Sequence, residues 1–133
     1  MTTNRFANQK QDVWSLAARV SYFYRFFNGQ NWSRCYEYID PRLRAGKRVG
    51  PEDYTRTMRS FFEAYGPIQE MKILKRTIYA GSPAQDDPRD FAYLVISWKD
   101  HQNQSHHFRE RWIKDRGQWF TRVVGLVPGP PES

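Results

Sequence analysis

Glu110 is the residue in this chain with the strongest claim to proton chemistry. It stands between Phe108 and Trp112 in the alternating stretch Ser-His-His-Phe-Arg-Glu-Arg-Trp-Ile-Lys, residues 105–114. In a strand these three share one face, while His107, Arg109, Arg111 and Ile113 share the other. The first set is the more apolar, so it is predicted to face the core and carry Glu110 in between two aromatics. Burial raises a carboxyl pKa and suits the group to general acid or base work. A structural ion pair with an arginine is the competing reading. His106 lies on the Glu110 face near the start of the stretch, either at a cavity mouth or on the rim. Tyr22, Tyr24, Tyr36, Tyr54 and Tyr65 supply hydroxyl groups from the preceding helical segments. Tyrosines at such spacing either orient a ligand or pack with the hydroxyl reaching solvent.

Other chemistries are poorly served. In a strand the rings of His106 and His107 point to opposite sides, His101 falls in the turn before them, and no third ligand follows at useful spacing, so no metal site is predicted. No cofactor motif occurs: there is no glycine-rich phosphate loop, no Ser-His-Asp spacing and no paired-aspartate cluster. Cys35, the single cysteine, excludes a disulfide framework. It shares a packed helical face with Trp32 and Ile39 and reads as a buried, inert thiol. Glu110, Tyr24 and His106 are therefore the catalytic candidates, but they form no complete catalytic set, and the sequence assigns no reaction.

The elements that must position these residues divide the chain in two. At 133 residues, with nine Phe, eight Tyr and five Trp, it makes one domain packed around large rings. Residues 1–11 are polar and read as a flexible lead-in, 12–127 as the domain, and 128–133 as a flexible proline-rich tail. From Asp12, a candidate cap, Val13, Leu16, Ala17, Val20, Tyr24 and Phe27 recur at helical steps up to Asn28-Gly29. Trp14, Tyr22, Phe23 and Phe26 widen that stripe and predict a helix covered on two sides. A short helix with Trp32, Cys35, Tyr36 and Ile39 on one face is stopped by Asp40-Pro41. A basic loop then runs to Gly50, and a third helix from Pro51 carries Tyr54, Met58, Phe61, Phe62 and Tyr65 before Gly66-Pro67 closes it. Beyond Pro67 the period becomes two. Strands are predicted at 68–79, 91–99, 105–114 and 118–127, the last two joined at Asp115-Arg116-Gly117. Three helices followed by a four-stranded antiparallel meander is an α+β pattern, and a twisted sheet of this kind can curl around the first helix to enclose a cone.

Several segments then carry a family resemblance: the long aromatic first helix leading to Gly-Gln-Asn-Trp (29–32), Tyr-Ile-Asp-Pro (38–41), Tyr-Gly-Pro-Ile (65–68) and Arg-Glu-Arg-Trp-Ile-Lys-Asp-Arg-Gly-Gln-Trp (109–119). Over residues 12–127 the chain resembles the NTF2-like superfamily, which includes ketosteroid isomerase, scytalone dehydratase and SnoaL-like cyclases. The resemblance implies helices packed on a curved antiparallel sheet around a cavity, a fold that hosts many unrelated functions. Isomerase-like members place a carboxylate base beyond the second helix. Here that segment, 42–48, has none, and Asp40 comes too early, just before a proline. An aromatic-lined pocket is predicted from Tyr24, Phe27, Tyr36, Phe62, Trp98, Phe108, Glu110 and Trp112, fitting an apolar or aromatic small molecule. The alternatives are a lyase or isomerase of a carbonyl-containing polyketide- or steroid-like substrate, with Glu110 acting beside Tyr24 or His106, and a non-catalytic adaptor whose cone its own side chains fill.

The surface bears on partners. Twenty-one basic against 14 acidic residues give a net charge of +7, which favours acidic partners in general. The basic residues are spread over almost every segment, densest at Arg42, Arg44, Lys47 and Arg48, so a solvated basic surface is expected and nucleic-acid binding is not. Apolar residues on both faces of strand 91–99 call for a second layer on the convex side, predicting a homodimer through that face. No run approaches the roughly 18 apolar residues of a membrane span, and the missing signal segment predicts a cytoplasmic protein.

Overall fold

The computed structural model describes residues 5–46 and 49–122, with side chains from Lys10 onward. Among them are four helices, α1 (Arg5–Asn28), α2 (Trp32–Tyr36), α3 (Pro41–Ala45) and α4 (Pro51–Tyr65). The strands β1 (Gln69–Tyr79), β2 (Phe91–Lys99), β3 (Ser105–Asp115) and β4 (Gln118–Thr121) follow. The strands form one antiparallel meander in the order β1-β2-β3-β4. This is the expected α+β architecture, helices first and sheet second.

Three boundaries differ from expectation. Helix α1 begins at Arg5, so residues 5–11 are helical rather than a loose lead-in. Asp12 consequently lies inside the helix and accepts a 2.7 Å bond from Lys114 Nζ instead of capping. The expected basic loop contains α3: Pro41 fits its first turn, where a missing N–H costs nothing, and the Asp40 carboxylate accepts from the Arg42 amide at 3.1 Å. Strand β4 is described to Thr121, and Val123, Val124, Leu126 and the tail 128–133 lie outside the described residues.

Periodicity explains the packing. Leu16, Val20, Phe23, Tyr24 and Phe27 of α1 are buried at helical steps, whereas Trp14 and Tyr22 stay exposed. The second covered side expected for this helix is therefore not formed over them. On β2, Ala92, Leu94, Ile96 and Trp98 are buried and face the helices. The register sets Leu94 opposite Glu110 and Ile96 opposite Phe108. The two halves are stitched at both ends of the sheet. Near β4 the Asp40 amide donates to Thr121 O at 2.9 Å and the Thr121 amide to Tyr38 O at 2.7 Å. Near β1 the Asn28 amide group bonds both Ile68 O and Ile68 N, at 2.9 and 2.8 Å. Gly66 ends α4 with φ +76°, and a Cβ there would meet His101 at 2.7 Å, so only glycine fits this corner. β1 itself shifts register twice, between Gln69 and Lys72 and between Ile73 and Lys75. No described helix is long and apolar enough to cross a membrane.

Candidate functional site

Alternation along β3 turns Phe108, Glu110 and Trp112 inward, and Glu110 is 3% exposed. Its partners are neutral: Tyr24 Oη of α1 donates to Oε2, and Trp112 Nε1 donates to Oε1 at 2.8 Å. The structural ion pair with arginine is not what forms. Burial pushes the Glu110 carboxyl above its ordinary value, and the two hydrogen bonds only partly oppose this. The Tyr24 hydroxyl is driven well above its usual range, by burial first and then by the Glu110 charge and hydrogen bond. Glu110 is thus a carboxyl that resists ionisation while two donors fix its orientation.

Tyr54 of α4 completes the polar group. It is 1% exposed and its hydroxyl has no hydrogen-bond partner. Burial raises this hydroxyl, with smaller contributions from Cys35 and Glu110. The Cys35 thiol is itself pushed up to about 12 by burial, which leaves it uncharged at neutral pH. Sequence reasoning counts Tyr54 among five tyrosines that supply hydroxyl groups but not among the catalytic or pocket residues, because nothing local marks a hydroxyl that lacks a partner.

The other pocket candidates gather as rings. Phe27 packs against Trp32 at 5.4 Å and Phe62 at 5.7 Å, and Trp98 against Phe108 at 4.8 Å. Phe61, not among the expected lining, joins the two groups by contacting Phe27, Trp98 and Phe108. Tyr36 is half-buried, donates to Val49 O at 2.6 Å and touches the Tyr54 ring. His106 is not brought to Glu110. Four residue steps of strand lie between them, about 13 Å, and His106 Nε2 instead meets Asp100 Oδ2 at 2.7 Å while its ring stacks on Trp98. The His106 contact and the Gln104 and Gln102 amides hold the Asp100 carboxyl below its ordinary value.

A second buried carboxylate, Asp40, reads from the sequence as a helix terminator or a cap for nearby amides, and it does cap α3. It is 0% exposed and takes both guanidinium nitrogens of Arg89, at 2.7 and 2.8 Å, with Arg122 at 3.0 Å. Arg89 also holds Asp87 and Asp115, which ties the β1–β2 loop to α3 and the β3–β4 turn. Burial alone would raise the Asp40 carboxyl, but these cations and the Arg42 amide outweigh it and hold it low. Asp87 is brought down to about 2, chiefly by Arg89.

No protein-family model matches the chain, and no curated protein matches it. Among solved structures it is similar to Aln2 from a Streptomyces species, with a TM-score of 0.55 and 11% identity. The likeness covers 89% of this chain and 91% of that one. The fold is NTF2-like. At that identity the likeness concerns architecture, and the site stands on its own geometry. Among the described residues no group of three or more His, Cys, Asp or Glu is placed to hold a metal ion.

Proposed function

We propose that this chain is a SnoaL-like member of the NTF2-like group that binds a small, mainly aromatic molecule within the cone. One polar substituent of that molecule would reach the Tyr54 hydroxyl, which lies within electrostatic reach of Glu110. The Tyr54 hydroxyl carries the reading. A buried hydroxyl without a partner costs about 1–3 kcal/mol, and a ligand oxygen accepting from it would recover that cost. The packed core rings would part to give that molecule its apolar walls.

A second reading is favoured by the raised carboxyl of Glu110. As a base it would take a proton from the carbon next to a carbonyl, while Tyr54 donates to the oxygen on which the negative charge develops. Tyr24 would then act by fixing the carboxyl, and His106 would have no part.

Titration with 2-naphthol, followed by quenching of tryptophan fluorescence, tests the first reading. Wild type is expected to bind, and Y54F to bind at least about fivefold more weakly with its melting temperature unreduced. Equal binding by Y54F, or no binding by wild type, rejects the polar anchor; the latter is what an adaptor with a filled cone would give. Exchange of the α-protons of 1-tetralone in heavy water, followed by NMR, tests the second reading: E110Q should retain affinity and lose exchange.

A further inference from the structure

The outer face of the sheet, turned away from the cone, carries a different chemistry. The register arranges it in rows. Tyr79, Phe91, Ile113 and Phe120 run across all four strands at one end. Next come Thr77, Tyr93 and Arg111, then Lys75, Val95 and Arg109, then Lys72, Ser97 and His107. Residues 72–79, 91–98 and 105–113 contain one carboxylate, Glu110, and it is buried on the opposite face. Pairing therefore gathers Lys72, Lys75, Arg109 and Arg111 onto one surface whose nearest strand carboxylate, Glu70, lies at its far end and is paired with Lys99 at 3.2 Å, although cations look scattered along the chain.

Aromatic rings accompany the charge. Tyr79 and Tyr93 are 44% and 42% exposed. Tyr79 stacks on Phe91 at 5.0 Å, and the Arg111 guanidinium lies 4.8 Å from the Phe91 ring centre. The Arg111 Nε has no hydrogen-bond partner. Beyond Phe120 the first row runs into a cleft of about 700 Å³ bordered by Arg42, Arg44 and Arg116 with Asp115 on the same rim. Arg42 reaches Asp87 and Arg116 reaches Asp115, so Arg44 is the rim cation that no carboxylate pairs among the described residues.

A second copy of the chain fits this surface badly. A two-fold contact would bring two surfaces of the same positive sign together, and like charges that end up opposed across an interface cost several kcal/mol. A polyanion with flat faces fits it well. We infer that the outer sheet face, from Lys72 and Arg109 through Tyr93 and Tyr79 to the arginine cleft at Phe120, is a docking surface for single-stranded nucleic acid. Phosphates meet the Lys and Arg rows, and unstacked bases lie on the exposed tyrosines. A duplex offers the same phosphates without free base faces.

Fluorescence anisotropy with a labelled oligouridine of about twelve nucleotides tests this. Wild type should bind at low salt with a slope of log K against log salt of about −3, as four neutralised phosphates require. K75E/R109E should weaken binding more than about tenfold, and Y79A/Y93A by about tenfold. K10E/R56E, which reverses two charges on the helical side, should weaken it less than about threefold because it shifts net charge equally but leaves the face intact. Circular dichroism confirms folding of each variant. The inference fails if K10E/R56E and K75E/R109E weaken binding alike, or if Y79A/Y93A binds as wild type does. It also fails if oligoglutamate competes as well as oligouridine, which assigns the face to an acidic protein. A wild-type dimer that Y79A/Y93A dissociates, together with no RNA binding, assigns it to a second copy.

Discussion

Asp40 and Glu110 are both removed from water, yet their carboxyl groups are driven in opposite directions. Asp40 lies under Arg89 and Arg122, and charge-assisted bonds overcome the cost of burial. Glu110 has a phenol and an indole, which orient it without cancelling its charge, so burial prevails. One site is built to keep a charge inside the protein, and the other to make a charge costly there. Burial alone does not distinguish a structural carboxylate from one available for proton transfer or ligand contact; the charge of its partners does.

The largest expected effect comes from removing the compensating charge. R89M leaves the buried Asp40 with Arg122 as its one remaining cation beside the Arg42 amide, and should cost about 3–5 kcal/mol in urea unfolding at pH 7. A loss below about 1 kcal/mol would mean that Asp40 is rehydrated or protonated, and the contrast would dissolve. Stability against pH comes second. Asp40 has a lowered pKa when folded, so its contribution is present above the unfolded value near 3.9 and is lost as pH falls toward the folded one. D40N should flatten that acid limb. Glu110 has a raised pKa when folded, so wild type loses stability as pH rises from the unfolded value near 4.3 to the folded one. The slope there is at most about 1.4 kcal/mol per pH unit. E110Q should abolish that decline. Parallel pH profiles for wild type and E110Q would show that Glu110 ionises freely.

Y54F should be neutral or stabilising by up to about 1 kcal/mol, since it deletes a buried hydroxyl with no partner. A loss of more than about 1 kcal/mol would reveal a bound water or a partner at that oxygen. The smallest effect is a baseline for both buried sites: Arg34 pairs with Glu37 at 3.1 Å with both side chains more than half exposed. R34A should change stability by less than about 0.5 kcal/mol.

The parts of the fold that announce themselves have strong local signals. Strand 91–99 is legible to both ends, because β-branched and aromatic residues fill it and polar loops bound it. Alternation puts Glu110 inside, and helical spacing puts Tyr24 on the face that meets it. The five residues of α3 are illegible, being too few for a period. The Asp40–Arg89 bond joins residues 49 apart in sequence and depends on where a loop returns. His106 shares a face with Glu110, but a face is a direction and not a distance. The outer cation rows need the strand register, which composition does not contain.

The meander also has a growth problem to manage. Residues 38–40 close off β4 through their bonds to Thr121, and β1 pairs with β2 alone among the described strands. That leaves an edge of eleven residues, long enough to template a foreign strand. The two register shifts kink it, and Lys72, Lys75 and Arg76 stand exposed along it. An incoming neutral strand meets a bent ladder fringed with ammonium and guanidinium groups, so the same lysines and arginine that enrich the surface in charge also act as gatekeepers against fibril formation.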